Sequence, residues 1–269
     1  MLLRRWVNQI SRRKVMAKHL LLNEKEKQFF NIFHSLCSTR DSWRVWSDFI
    51  TASAISLSNP FELNPDRKEE REKEYAECIK RLGRIEKPAE MLKNVVMAFE
   101  ENPAQDFLGS LFTKIGLNNH WRGQFFTPYT VCEMMAKVTL SQADEEISSK
   151  GYVSILDCAC GAGAILIAAA NVLRCNKINY QRNALFVAQD IDRTVGLMCY
   201  IQLSLLGCSG YVVIGDSITN PIIGEPLYPI EQSGQEWWYM PMFNTADWSF
   251  RRLCGAIQSD KYSKIETKK

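Results

Sequence analysis

Ile155-Leu156-Asp157-Cys158-Ala159-Cys160-Gly161-Ala162-Gly163 decides the fold class of this chain. An apolar run ends on an acid, a turn of small residues follows, and Ala164 to Leu173 then reads as a helix. That order is strand, tight turn, helix. Glycines 161 and 163 supply backbone angles closed to other residues and let a ligand approach the main chain closely. A glycine pair after a strand is also compatible with a plain packing turn, so the reading depends on the neighbours.

Downstream, Ala184-Leu185-Phe186-Val187-Ala188-Gln189 reads as a buried strand closing on Asp190-Ile191-Asp192. An acid at the end of a second strand, about 20 residues past the glycine turn, is placed to accept hydrogen bonds from ribose hydroxyls. A helix from Thr194 to Leu206 stops at Gly207, and Tyr211-Val212-Val213-Ile214 forms a third strand ending in Gly215-Asp216-Ser217. Three acid-tipped strands separated by helices make an α/β, Rossmann-like arrangement with a nucleotide-type site at the strand ends.

Upstream, Gly123-Gln124-Phe125-Phe126-Thr127-Pro128 marks a change of tone. Thr127 is a good N-cap and Pro128 a good first helical residue, so a helix with Val131, Met134, Met135 and Val138 on its apolar face is predicted. The two aromatics suit the flat face of a nucleobase or the core equally. From Asn23 to Thr113 the pattern is helical. Asn23 and Glu26 form a capping box, Asp41 caps a helix rich in Trp43, Trp46 and Phe49 that stops at Asn59-Pro60, and Pro88 opens another. The charged run 66–82, ending at Gly83, reads as a solvated helix face.

Hydrophobic residues make up 46% and charged residues 23%, which are ordinary globular values. The longest apolar run falls far short of the about 20 residues a membrane span needs, so no membrane partner is expected. Nine cysteines without a C-x-x-C pair and three dispersed histidines offer no metal ligand set and suit a reducing cytoplasm. Residues 1–18 carry Arg4, Arg5, Arg12, Arg13, Lys14 and Lys18 and no acid. This basic arm could meet nucleic acid phosphates, be disordered, or lie upstream of a start at Met16; it lacks the features of a secretory signal.

Together these pieces resemble the gamma-type adenine-N6 DNA methyltransferases, especially the modification subunits of type I restriction–modification systems and their short phage-like relatives. The likeness covers roughly residues 103–217. Asp106-Phe107-Leu108-Gly109 resembles the family's helix before the cofactor segment. Gly123 to Pro128 is similar to G-x-F-[FY]-T-P, and Asp157 to Gly163 to D-P-A-C-G-S-G, with Cys158 for Pro and Ala162 for Ser. The resemblance implies S-adenosyl-L-methionine as cofactor. Phe125, Phe126, Thr127 and Pro128 would hold its methionine part, with Asp157, Ala159, Cys160, Gly161 and Gly163 around it. Asp190 would bind the ribose, Ile191 would pack on the adenine, and Asp216 with Ser217 would meet the adenine amino group. A short turn without a Lys-Ser or Lys-Thr ending favours a ligand lacking pyrophosphate; a dinucleotide remains the alternative.

Family members carry a further Asn/Asp-Pro-Pro-Tyr/Phe motif whose oxygens accept from the target adenine and whose aromatic stacks on the flipped base. Here Asn220-Pro221 follows Ser217 too soon for another strand, and Met240-Pro241-Met242-Phe243 keeps the proline and aromatic but puts a weakly accepting thioether first. The catalytic candidates are therefore Met240, Pro241, Phe243 and Asn220. The tail holds Trp237, Trp238, Tyr239, Trp248, Phe250, Arg251 and Arg252, which either stack on nucleic acid or close an exposed sheet edge. The expected organisation is a basic arm (1–18), a helical domain (19–118), a methyltransferase-like domain with a partly truncated sheet (119–250) and a polar tail (251–269). The expected activity is methylation of DNA adenine; the alternatives are a cofactor-binding, DNA-associated module without turnover, or a partial subunit completed by a specificity-type or other partner chain.

Overall fold

The computed structural model describes residues 22–117 and 126–254. The basic arm 1–18, Gly123 to Phe125, and residues 255–269 of the expected tail lie outside them. The chain first forms helices α1 (Glu24–Leu36), α2 (Ser42–Ser58), α3 (Pro65–Leu82), α4 (Glu86–Glu101) and α5 (Phe107–Lys114). Their starts follow the sequence. Asn23 and Glu26 make the reciprocal capping box, while Asp41, Asn64 and Asp106 each accept from a backbone N–H of the first turn.

After α6 (Tyr129–Thr139) and α7 (Ala143–Lys150), strands β1 (Val153–Asp157), β2 (Ala184–Asp190) and β3 (Ser209–Ile214) alternate with α8 (Ala164–Cys175), the single turn α9 (Tyr180–Asn183) and α10 (Arg193–Leu205). β1, β2 and β3 are parallel neighbours. A small hairpin, β4 (Ile223–Glu225) with β5 (Tyr228–Ile230), precedes β6 (Glu236–Tyr239), which pairs antiparallel with β3. The protein is thus a mixed α/β fold with sheet order β1-β2-β3-β6. No helix among the described residues is long and apolar enough to cross a membrane.

Alternation along the strands builds two cores. Phe186, Ala188, Val212, Ile214 and Trp238 face the helices and join Phe29, Trp46, Phe49 and Phe112 in one continuous apolar cluster. Leu185, Val187, Tyr211, Val213 and Trp237 face the other way, where Leu227, Phe243 and Trp248 cover them. The aromatic tail therefore closes the sheet: Trp237, Trp238 and Trp248 are buried, and only Phe250 among its large rings is well exposed.

Three expectations need correction. Thr127 does not cap α6; Pro128 occupies the N-cap position, without a side-chain cap, and its carbonyl accepts from Val131 and Cys132. The apolar stripe of α6 is not a core face. Cys132 and Ala136 turn inward against α8, whereas Val131, Met134, Met135 and Val138 face solvent. Nor is the charged helix α3 merely solvated. Arg71 is buried under the sheet edge, its guanidinium 3.7 Å from the Trp238 ring centre, donating to Glu62 (2.8 Å) and to the Trp237 carbonyl (2.7 Å). Glu74 pairs with Arg193, which also forks onto Glu236. Charge repeats on a helix do not say which side chains meet a partner element.

Removing one member of a buried ion pair strands the other. Arg71→Ala leaves the buried Glu62 carboxylate with only the longer contact to Arg67 (3.8 Å) and is expected to destabilise the fold by at most about 3–5 kcal/mol, measurable by urea denaturation. Pairing it with Glu62→Gln should recover part of that loss.

Candidate functional site

At the carboxyl ends of β1 and β2 lies a half-open hollow of ≈ 190 Å³ lined by Phe126, Thr127, Asp157, Ala159, Cys160, Gly161, Ala162, Ala164, Ile165, Asp190 and Val195. Parallel strands separated by crossover helices place such a crevice there by topology. It is smaller than the roughly 300–1,000 Å³ of an enclosed ligand pocket, and it lies beside β1, where the sheet ends.

The glycine turn is the floor. Gly161 and Gly163 hold φ of +54° and +92°. A Cβ on Gly161 would sit 3.2 Å from the Phe126 ring, and one on Gly163 only 2.7 Å from the Cys199 sulfur. Both the backbone angle and the space thus require glycine. Asp190 braces this turn, its carboxylate accepting from Gly161 N–H (2.8 Å) and Asp192 N–H (2.8 Å). From below, the buried Gln202 amide donates to the Ala162 carbonyl and to Asp106 (both 2.8 Å) and accepts from Leu108 N–H (2.9 Å).

Asp157 is different. One oxygen accepts from Ala159 N–H at 3.1 Å, while the other, Oδ2, is buried without a partner among the described residues. Burial pushes the Asp157 carboxyl above its ordinary range, only partly offset by the Ala159 bond. Burial likewise raises Asp190, against the pull of its two backbone donors. Cys160 is hydrogen-bonded to Cys199 and buried, which raises it well above an ordinary thiol and keeps it protonated.

Not every expected residue joins the hollow. Phe126, Thr127, Asp157, Ala159, Cys160, Gly161 and Asp190 line it; Pro128, Gly163, Ile191, Asp216 and Ser217 do not, and Phe125 lies outside the described residues. Gly163 supports the turn from behind, and Ile191 is 66% exposed beside Asp190. Asp216 closes an Asx-type turn on itself, accepting from Ile218 and Thr219 N–H and from the Thr219 hydroxyl, which lowers its carboxyl. The loop it starts is held from within by Gln189, which donates to the Asn220 carbonyl (2.9 Å) and accepts from Ile222 N–H (3.2 Å).

The catalytic candidates are corrected by strand direction. β6 runs opposite to β3, so Tyr239 pairs with Tyr211 and Met240 N–H donates to Gly210, near the start of β3. Met240, Pro241 and Phe243 therefore lie at the end of the sheet away from Asp157 and Asp190. Met240 and Phe243 are buried there, and the Phe243 ring stacks on Tyr239 at 5.7 Å. Asn220 is at the correct end, but its amide donates to the Ser233 carbonyl and it does not line the hollow. Gln202, Gln189 and Cys199 escaped the sequence reading; a Gln inside the apolar run Met198 to Leu206 was the one available signal.

A buried charge without a full set of donors weakens the fold that contains it. The raised Asp157 carboxyl favours the folded state when protonated, so this contribution is present at low pH and lost as pH rises through the folded-state value. Asp157→Asn, which keeps an acceptor for Ala159, should therefore raise the urea midpoint at pH 7. That gain should shrink toward pH 4.

No curated protein matches the chain. Residues 110–237, which include the hollow, match the family model described as N-6 DNA Methylase, in agreement with the resemblance to adenine-N6 DNA methyltransferases carried by residues 103–217.

Proposed function

We propose that the hollow binds S-adenosyl-L-methionine and that the protein serves methylation of adenine N6 in DNA. The unpartnered Oδ2 of Asp157 carries this reading. A buried, unpartnered carboxylate oxygen on a residue that lines the hollow calls for a donor, and the cofactor's ammonium group is one. The fit continues along the floor, where the Phe126 ring and the bare Gly161 backbone leave room for a flat or extended ligand. Asp190 offers lone pairs to ribose hydroxyls, and the exposed Ile191 offers an apolar surface to an adenine ring. When bound, the cofactor supplies an electrophilic methyl group. The chain's own part is to orient it: Asp157 fixes one end, Asp190 the other, and Phe126 excludes water from between them.

One observation favours a second reading. Met240, Pro241 and Phe243 lie at the far end of the sheet, so no acceptor from that segment reaches the hollow to meet a flipped base. The protein would then bind cofactor and DNA without turnover, or act as a partial subunit whose partner chain supplies the missing contacts. Incorporation of labelled methyl groups into mixed DNA by the purified chain would refute both forms; activity only after adding a partner would support the partial subunit.

Calorimetric titration tests the cofactor. Wild-type protein should release heat with S-adenosyl-L-methionine, and Asp157→Asn should bind about 10- to 100-fold more weakly, as loss of a charged hydrogen bond worth about 1.5–3 kcal/mol implies. Because ionised Asp157 and Asp190 are the acceptors and both carboxyls are raised, affinity should fall as pH drops through their raised values. That decline should begin above the ordinary carboxylate range. Absence of heat with the wild type ends the cofactor assignment.

A further inference from the structure

The direction of β6 carries Phe243 away from the hollow and into the wall of another cavity, at the opposite end of the sheet. This cavity measures ≈ 430 Å³, within the roughly 300–1,000 Å³ that small-molecule sites occupy. One wall is apolar and aromatic, built by Leu227, Tyr228, Pro229, Tyr239 and Phe243. Leu227 and Phe243 are buried, and the Tyr239 and Phe243 rings lie within 8° of parallel. Hydrogen bonds hold this wall in place: the Tyr228 hydroxyl donates to the Arg252 carbonyl, and the Tyr211 hydroxyl to the Pro226 carbonyl (3.0 Å).

Four charged side chains line the same cavity, and three of them already have partners of opposite charge. Glu62 accepts from Arg71 (2.8 Å), and Glu231 accepts from Arg67 (2.6 Å) and from the Tyr239 hydroxyl (2.9 Å). Arg252 is different. It donates to the Phe243 carbonyl (2.8 Å) and the Ser249 hydroxyl (3.1 Å), and its guanidinium carbon lies 4.1 Å from the Phe243 ring centre. It makes no ion pair with a carboxylate among the described residues. Burial pushes its guanidinium below the ordinary range, offset only in part by the Tyr228 and Tyr239 phenols. A guanidinium has five N–H donors, so Arg252 has donors to spare for an incoming anion. A partly desolvated cation of this kind is stabilised by a carboxylate, which matches its planar donor fork.

We propose that this cavity binds a small aromatic monocarboxylate, its ring against Leu227, Tyr239 and Phe243 and its carboxylate on Arg252. The charge pattern selects the class. A neutral ring would take water from Arg252 without replacing it, and a cation would be repelled by Arg252 while Glu62 and Glu231 are already paired. A second negative charge on the ligand would meet those two carboxylates, so a phosphate dianion or a nucleic acid backbone fits worse than a single carboxylate. The site shares no lining residue with the hollow, and the proposal does not depend on the cofactor or on DNA.

NMR titration of the full-length protein with naphthoate, and with naphthylmethanol as its neutral analogue, tests this. Naphthoate should bind at least about tenfold more tightly than the alcohol, as a charged hydrogen bond implies. It should shift the amides of residues 227–229 and 239–243 and leave those of 157–163 in place. Arg252→Gln should bring naphthoate down to the affinity of the alcohol without changing the alcohol itself, which reports an intact cavity. Arg252→Lys, which keeps the charge, should retain part of the preference. Equal affinity of the two probes for the wild type overturns the proposal, as does the absence of naphthoate binding at millimolar concentration. Shifts centred on 157–163, or a naphthoate preference that survives Arg252→Gln, overturn it as well.

Discussion

The buried amide of Gln202 holds together three segments distant in sequence. Its two N–H bonds go to Asp106 and the Ala162 carbonyl, and its oxygen takes Leu108 N–H. One side chain thereby anchors the start of α5 and the underside of the glycine turn. It also supplies a donor to a fully buried carboxylate whose ionisation burial opposes. In so dry a place each bond is worth more than on the surface, and each lost bond leaves a group that water cannot reach. The shape of the candidate site is set from inside the helical layer as much as from the strand ends that line it.

The same logic explains how the helical segment and the sheet stay joined. Phe29, Trp46 and Phe112 share an apolar cluster with Phe186 and Trp238, while Arg71 and Arg193 link α3 to β6 through carboxylates, a carbonyl and the Trp238 ring. Aromatic surface supplies the bulk of the contact. The guanidinium forks fix its register, because a planar donor set tolerates little displacement.

Much of this was legible in the sequence where the signal is local. Caps at Asn23 and Asp41, the β2 strand ending on Asp190, and the glycine turn each depend on a few consecutive residues, and each appears where expected. What failed depended on direction or on covering. The spacing from Asp216 to Met240 suits another strand, but spacing carries no arrow, and an antiparallel β6 delivers Met240 and Phe243 to the wrong end. The periodicity of Val131, Met134, Met135 and Val138 marks a stripe without saying what covers it. Pro128 displaced Thr127 as N-cap by a single residue, a shift within the tolerance of any helix boundary. Gln202 was invisible for another reason: the three groups it serves converge only after folding.

The loop after β3 has one more implication. Its carboxylate at Asp216 is already occupied by neighbouring backbone N–H groups, and Gln189 fastens its far limb from beneath. Such a rim is rigid before anything arrives. A guest reaching it would forfeit little chain entropy, but it would have to compete with the rim's own internal bonds for the carboxylate, so this corner favours guests that already match its contour over those that must remould it.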